Sequence, residues 1–464
     1  MVDPTVTNWF GDLVSHPKVV VDAHTVDDII NVLKNPDQYP SPVRAVGSNH
    51  STAPCGAADG GTLIKMKMNR ILNIGTDSVT VEAGAVHIDI AEKLEKRKLQ
   101  FYVNTEIGSL SAGSAACAGT KDSSMPGEYG QVGSYITGVK MALPSGNLLE
   151  VSDDTDSDLM QKIRSSYGLF GIIYEVTYRI RPLLPMAVHH KTFGIQEFVD
   201  QLPELKALNY AMMYYIFPFD ELITVEFRRY NPNAQGEPNR FSWKLRNYLW
   251  GTAGPKFGHD IEQNVDDPTI RYAMVDGFNA IWRFKLENIV VSDNTIPTDQ
   301  IIRYPEVSND SRYTFSLFAF DEDVFPKVLP EFCQFCRDYY QNQGYRTNLL
   351  YVGYYIAKDQ RSLLSYSYDS NVLTIDPVST ANPGWKAFLS DYNQFCSDRD
   401  GMPLLNQTFG VTPAIANKAL GPRLKIIDDT RKTYDPSNRL LNDYFSSLLN
   451  AAAGSAPTSN PIRL

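Results

Sequence analysis

A chain of 464 residues is longer than one ordinary hydrophobic core supports, so two domains are expected, and its 43% hydrophobic and 21% charged residues exclude the disordered and fibrous classes. A net charge of −10 with no block of Lys or Arg argues against nucleic acid and a membrane surface, and no run of eighteen apolar residues marks a membrane helix. Five scattered cysteines are no disulfide framework, and Met1-Val2-Asp3-Pro4 lacks the pattern of a signal peptide, so the expected compartment is the cytoplasm.

In chain order, Thr7–Gly11 precedes a strand at Val19–Val21. Thr25 then reads as the N-cap of a helix with Asp27 and Asp28 in its first turn. A second strand runs Val43-Arg44-Ala45-Val46 into the turn Gly47-Ser48-Asn49-His50-Ser51, where Gly47 lets backbone approach a ligand closely. Leu63–Met66 and Val79–Ala83 alternate as half-buried strands do, and Ile88–Leu99 has the spacing of an amphipathic helix. From Gly108 to Ser124 almost every side chain is small: Gly108, Ser109, Ser111, Gly113, Ser114, Gly119 and Thr120 leave a backbone able to lie against a large planar group. Their N–H and hydroxyl donors suit a diphosphate. The turn Pro144-Ser145-Gly146-Asn147 makes a hairpin, and Ile172-Ile173 opens a further strand before Pro182 and Pro185.

Taken together, these motifs resemble the vanillyl-alcohol oxidase superfamily, with an FAD domain of the para-cresol methylhydroxylase type, and are most similar to the aldonolactone and alditol oxidases. The resemblance implies FAD, bound covalently through His50. It implies cofactor contacts at Arg44, Gly47, Ser48, Asn49, Ser51, the small residues just named, Ile172 and Ile173 beside the adenine, and Asn442 in the segment Asp435–Phe445. Relatives have Gly-Thr-His where this chain has Gly119-Thr120-Lys121. Cys117 lies inside the small-residue run, not at the position from which some relatives tether flavin twice, and reads as a small buried residue.

From about residue 186 aromatics become dense. Tyr210–Phe217, Leu222–Arg229, Tyr313–Phe320, Asn348–Ile356 and Leu363–Tyr368 read as strands, with helices at Glu331–Tyr340 and Pro383–Phe395. The expected class is α+β: a two-part FAD domain over 1–185, an antiparallel-sheet substrate domain with helices on one side over 186–427, a returning segment at 428–450, and a loose tail at 451–464. Cys333 and Cys336 fall on a helix with no second pair, and His189 and His190 point to opposite faces of a strand, so no metal is expected.

The chain departs from the resembling oxidases where they hold a polyol. The strand placed at Leu350–Ile356 lacks their Glu-x-Arg pair, and Pro403–Thr408 lacks their His and Lys; the Glu-x-Arg of this region is Glu226 and Arg228. An oxidised flavin takes a hydride from a carbon bearing oxygen while a neighbouring group takes the hydroxyl proton. Candidates for that polar work are Tyr351, Tyr354, Tyr355, Asn406, Gln407 and Lys121. The expected activity is oxidation of a CH–OH group of an alcohol, polyol or lactone, with dioxygen as acceptor. The alternative is a dehydrogenase, or a natural-product tailoring oxidase acting on a bulkier, less polar alcohol.

Overall fold

Thr25 holds extended backbone (φ −137°, ψ 163°) and its hydroxyl accepts the Asp28 N–H, while the Asp28 carboxylate accepts the Thr25 N–H at 2.9 Å. This reciprocal cap starts the helix Val26–Lys34, which buries Ile29, Val32 and Leu33. The computed structural model describes residues 4–304 and 311–452. The helix links Val19–Ala23 to Val43–Val46, and both strands lie parallel to Thr62–Met66, which sits between them. The strand Val43–Val46 therefore delivers the Gly47 turn at the end of a three-stranded sheet.

A six-stranded antiparallel sheet follows, with Ile172–Pro182 at its centre between Ile136–Ala142 and Ser78–Glu82. The small-residue run crosses its end as the short helix Ala112–Cys117. The helix expected over Ile88–Leu99 spans His87–Lys96; Lys98, at φ 58°, turns the chain into the strand Leu99–Phe101.

The third sheet has eight strands, all antiparallel, with Leu222–Tyr230, Ala211–Phe217, Tyr351–Ile356 and Val372–Ile375 in its middle. Met212, Tyr214 and Ile216 face the helices Ile195–Ala207, Phe325–Gln343 and Trp385–Ser397. Met213, Tyr215 and Phe217 face the other way, onto Trp250, Trp282 and Leu286. So the sheet carries helices on both faces, where one was expected. The second layer is Phe241–Tyr248, Gly254–Asn264 and Pro268–Asn288. Pro255 and Pro268 stand in the first turns of two of these helices, where the missing N–H costs nothing.

Two other expectations are corrected. Leu363–Tyr368 is turns, not strand, with the Ser365 N–H donated back to the Ser362 carbonyl at 3.1 Å. Tyr313–Phe320 is broken into Thr314–Phe315 and Phe318–Asp321, because the Ser316 N–H bonds the Pro377 carbonyl instead of continuing the ladder.

The chain then returns to its beginning. The Asp435 carboxylate accepts the N–H groups of Arg439 and Leu440 at 2.7 Å each, and Arg439 donates to the Val32 carbonyl and the Ser41 hydroxyl. The expected loose tail, 451–464, lies almost wholly outside the described residues; the helix Asp443–Ala452 runs into its start.

Candidate active site

The Gly47 turn, the small-residue helix and the start of Ile172–Pro182 wall a cleft of about 1080 Å³, counting its open mouth. Arg44, Gly47, Ser48, Asn49, His50, Ser51, Ser111, Gly113, Ser114, Thr120, Ile172, Ile173, Asn406 and Gln407 all line it. Gly47 is needed for the walls to meet: a Cβ there would fall 1.9 Å from the Ser111 hydroxyl oxygen. The turn's tip is tied to the start of the chain. Asn49, at φ 53°, donates its amide to the Thr7 carbonyl, and Asn8 donates to the Ser51 carbonyl.

His50 stands at the tip with Trp9 stacked on it, ring centres 4.9 Å apart and planes 24° apart, and Tyr304 edge-on at 6.5 Å. Its Nε2 is buried without a partner among the described residues. Part of the ring borders the cleft, but the surrounding protein leaves it little water, and burial pushes its pKa down to about 3. The imidazole is therefore neutral at ordinary pH.

Arg44 is buried and donates to the carbonyls of Cys55 (3.0 Å), Leu440 (2.9 Å) and Tyr167 (2.5 Å), with Phe445 beneath it. Among the described residues it forms no ion pair with a carboxylate. A buried guanidinium that lacks a counter-anion gives the cleft a positive potential suited to a diphosphate. The helix supplies less than expected. The N–H groups of Ala112 and Gly113 are bonded to Ala85 and Ala83, so its first turn offers the hydroxyls of Ser111 and Ser114 rather than free N–H donors. Asn406 donates its amide to the Gly119 carbonyl at 2.9 Å, and its Oδ1 is buried without a partner among the described residues. These features fit FAD: a long cleft, an unneutralised cation, a neutral imidazole and an unused amide oxygen. Cys117 also lines the cleft, but burial raises its thiol to about 11, so it stays protonated.

Several expected contacts lie off the cleft wall. Gly108 packs against Ile301 and Ile88, the Ser109 hydroxyl bonds the Tyr304 carbonyl, and a Cβ on Gly119 would strike Leu404. Asn442 spends its amide on the carbonyls of Pro54 and Ala57. Of the catalytic candidates, Tyr351 and Tyr355 face the helix layer: Tyr351 lies against Cys336 and Phe332, and Tyr355 donates to Glu322. Alternation along a strand sends their neighbour Tyr354 to the opposite face.

Tyr354 and Lys121 sit behind the cleft in a buried charged cluster that the sequence reading did not assemble. Lys121 pairs with Asp376 at 2.8 Å and lies over the Tyr354 ring at 3.8 Å. The Tyr354 hydroxyl donates to Glu106 at 2.9 Å, and Arg246 pairs with the same carboxylate. Arg228 bridges Glu226 at 2.5 Å and Asp122 at 2.8 Å, while Tyr215 and His190 bond Glu226 at 3.1 and 3.0 Å. Burial alone would raise Glu226, but Arg228 and His190 outweigh it and hold the carboxyl at about 2. Burial drives the Tyr354 hydroxyl well above 10. The signal that could have found the cluster is the Glu226-x-Arg228 pair together with Lys121-Asp122, two acid–base pairs at buried positions.

The comparisons with known proteins agree with this cleft. The FAD binding domain profile matches residues 17–152. L-Gulonolactone oxidase of Bos taurus is 24% identical over 239 residues, 51% of this chain and 54% of that protein. L-Gulono-1,4-lactone dehydrogenase of Mycobacterium tuberculosis is 24% identical over 240 residues, 51% and 55% of the two chains. The chain thus spans about half the length of the curated relatives it matches. A solvent-stable cholesterol oxidase shares the fold over 96% of this chain and 97% of its own, with a TM-score of 0.73 at 16% identity. Residues 17–152 are thus similar to an FAD binding domain, and the chain as a whole shares its fold with the cholesterol oxidase.

Proposed function

We propose that this protein is an FAD-dependent oxidase of CH–OH groups, with FAD joined to an imidazole nitrogen of His50. The observation that carries the reading is His50 itself: a neutral imidazole with an unpartnered nitrogen, clamped by Trp9, at the edge of a cleft that fits FAD. Bound oxidised flavin supplies a hydride acceptor and hands the electrons on to dioxygen. The protein's own residues bind and orient. Arg44 and the Ser111 and Ser114 hydroxyls hold the diphosphate, and Ile172 and Ile173 flank the adenine. Asn406, its amide nitrogen fixed by the Gly119 carbonyl, offers Oδ1 to an O–H or N–H donor in the cleft. Gln407 lines the same wall.

Neither Lys121 nor Tyr354 serves as a free base, since one is paired with Asp376 and the other keeps its proton for Glu106. Lys121 instead places a fixed positive charge directly behind Thr120. The units adopted for this reading are 1–185, 186–427 and 428–450, and five unpaired cysteines suit a reducing compartment such as the cytoplasm.

The substrate we favour has an apolar body. Glu226 and Arg228 are fully engaged with each other and with His190, Tyr215 and Asp122, so they offer a polyol nothing. Val46, Met66, Ile107 and Leu110 give the cleft itself an apolar wall. Between the cholesterol and the L-gulonolactone of the similar proteins' names, such a wall suits the former.

Two measurements test this. Acid-precipitated protein should stay yellow, with a tryptic peptide containing His50 carrying the mass of FAD, and His50→Ala should release the colour; flavin that washes out of the wild type would refute the bond. Anaerobic flavin bleaching with a panel of sterols, aromatic alcohols, aldonolactones and polyols should be fastest with the apolar alcohols. Peroxide matching substrate consumption under air distinguishes an oxidase from a dehydrogenase.

A further inference from the structure

The helix Pro268–Asn288 buries Tyr272, Val275, Asn279, Trp282 and Leu286. Its opposite side is exposed, yet no charged residue stands along it: Ile270, Ala273, Met274, Gly277, Ala280, Ile281 and Phe284. Ile270 and Ile281 are each 56% exposed and Phe284 62%. A helix on the surface of a globular protein ordinarily carries charged and polar residues there. Gly277 sits at the centre of this face. A Cβ added to it would meet nothing within 4 Å, so the chain's own packing does not require glycine, and glycine weakens a helix interior. Close approach of another backbone is what a glycine at such a position permits.

Counted from Gly277, the exposed residues lie three, four and seven positions to either side. We propose that this face receives a second copy of the chain, helix antiparallel to helix, with a two-fold axis at Gly277. Each residue then opposes the one equally far on the other side. Ala273 meets the partner's Ile281, Met274 meets the partner's Ala280, Ile270 meets the partner's Phe284, and the two glycines meet on the axis. Beside the axis every large side chain faces a small one, which is the self-complementarity a two-fold interface needs. In a parallel pair each residue would face its own kind, leaving gaps at the alanines and crowding at Met274 and Ile281.

The flanking charges allow this arrangement. Arg271 and Arg283 would come opposite each other, but each is paired within its own chain, with Glu262 at 2.9 Å and Asp220 at 2.5 Å. Phe241, 64% exposed, lies near the helix's end, since its neighbour Ser242 bonds the Ile289 carbonyl. A lipid surface fits less well. A helix lying in a bilayer interface presents bulky apolar side chains along its whole length, whereas this one is dented at its middle by Ala273, Gly277 and Ala280.

The test uses the full-length holoprotein in sedimentation velocity. At about 10 µM the wild type should sediment as twice the 52.0 kDa chain, and Gly277→Glu, whose side chain points into open space in the monomer, should weaken association at least about tenfold. Gly277→Cys should give a disulfide-linked dimer on a non-reducing gel, because the two thiols meet on the axis, and Asn288→Cys, far from it, should not. A monomeric wild type, or a dimer unaffected by Gly277→Glu and giving no Gly277→Cys cross-link, overturns the proposal. A monomeric wild type that floats with phosphatidylcholine vesicles overturns it in favour of a lipid surface.

Discussion

At Thr120 the chain lines the cleft, and at Lys121 it enters the charged cluster behind it. On the cleft side, Arg44 has no carboxylate, and His50 Nε2 and Asn406 Oδ1 have no partners, among the described residues. On the cluster side, Lys121, Arg228 and Arg246 meet Asp376, Asp122, Glu226 and Glu106. Burying a polar group without a partner is costly, so groups left open in a concave wall mark where a ligand completes them. The charged cluster, by contrast, sets each cation against a carboxylate, although Asp376 Oδ1 and Arg246 Nε have no hydrogen-bond partner among the described residues, and it ties the eight-stranded sheet to the small-residue run through contacts such as Arg228 to Asp122. It reads as a seam between the two halves of the molecule, not as a second binding site.

The sharpest way to break that contrast is to open the seam. Arg228→Met removes a cation from between two buried carboxylates, and losing one partner of a buried pair costs about 3–5 kcal/mol. Urea unfolding should show that loss with or without flavin. If the variant is as stable as the wild type, the cluster is not a seam.

Acid attacks the same contacts without mutation. The folded-state pKa of Glu226 lies near 2, below the 4.5 of a free glutamate, so its charged form stabilises the fold. That contribution is whole above pH 4.5 and is lost as pH falls towards 2, on the order of 3 kcal/mol in all. Glu226→Gln should be less stable at pH 7 and should lose stability less steeply between those limits. Equal slopes in the two proteins would assign the acid sensitivity to other carboxylates.

The cleft side should answer differently. Arg44→Gln removes the unneutralised charge, and a hydrogen bond to a charged group contributes about 1.5–3 kcal/mol. In a His50→Ala background, where flavin binding is reversible under the proposed linkage, FAD affinity should therefore fall roughly 10- to 150-fold. Unchanged affinity would show that Arg44 only braces the three carbonyls it bonds.

The same contrast explains what could be read from the sequence. The cleft was legible because its requirements are local. Gly47 must be small, His50 stands three residues on, and a six-residue helix of Ala, Gly, Ser and Cys lies within one run. The N-cap at Thr25 and the hairpin at Pro144–Asn147 are local in the same sense. The cluster joins residues 255 apart, Lys121 and Asp376, and 106 apart, Asp122 and Arg228, and no pattern of spacing announces such pairs. Tyr351, Tyr354 and Tyr355 were singled out together, although strand alternation alone separates Tyr354 from the other two. The helical layer over 241–288 was not read from the sequence, where helices were placed only at Glu331–Tyr340 and Pro383–Phe395 of this region.

The smallest effect to look for is a pair of protons. His190 Nδ1 lies 2.9 Å from the Val290 carbonyl oxygen, and its Nε2 lies 3.0 Å from Glu226. A backbone carbonyl and an ionised carboxylate only accept, so the geometry predicts a hydrogen on each ring nitrogen. Lys121, Arg228 and Arg246 stand against the four carboxyl groups of Glu106, Asp122, Glu226 and Asp376, and a hydrogen on both His190 nitrogens would supply a fourth positive charge. A buried cluster with equal numbers of each sign avoids the desolvation cost of an unpaired charge. Nitrogen-15 spectra of histidine-labelled protein at neutral pH should show two protonated nitrogens for the signal that disappears in His190→Gln. One bare ring nitrogen in that signal would leave the cluster with an excess negative charge, and the account of it as a closed seam would fail.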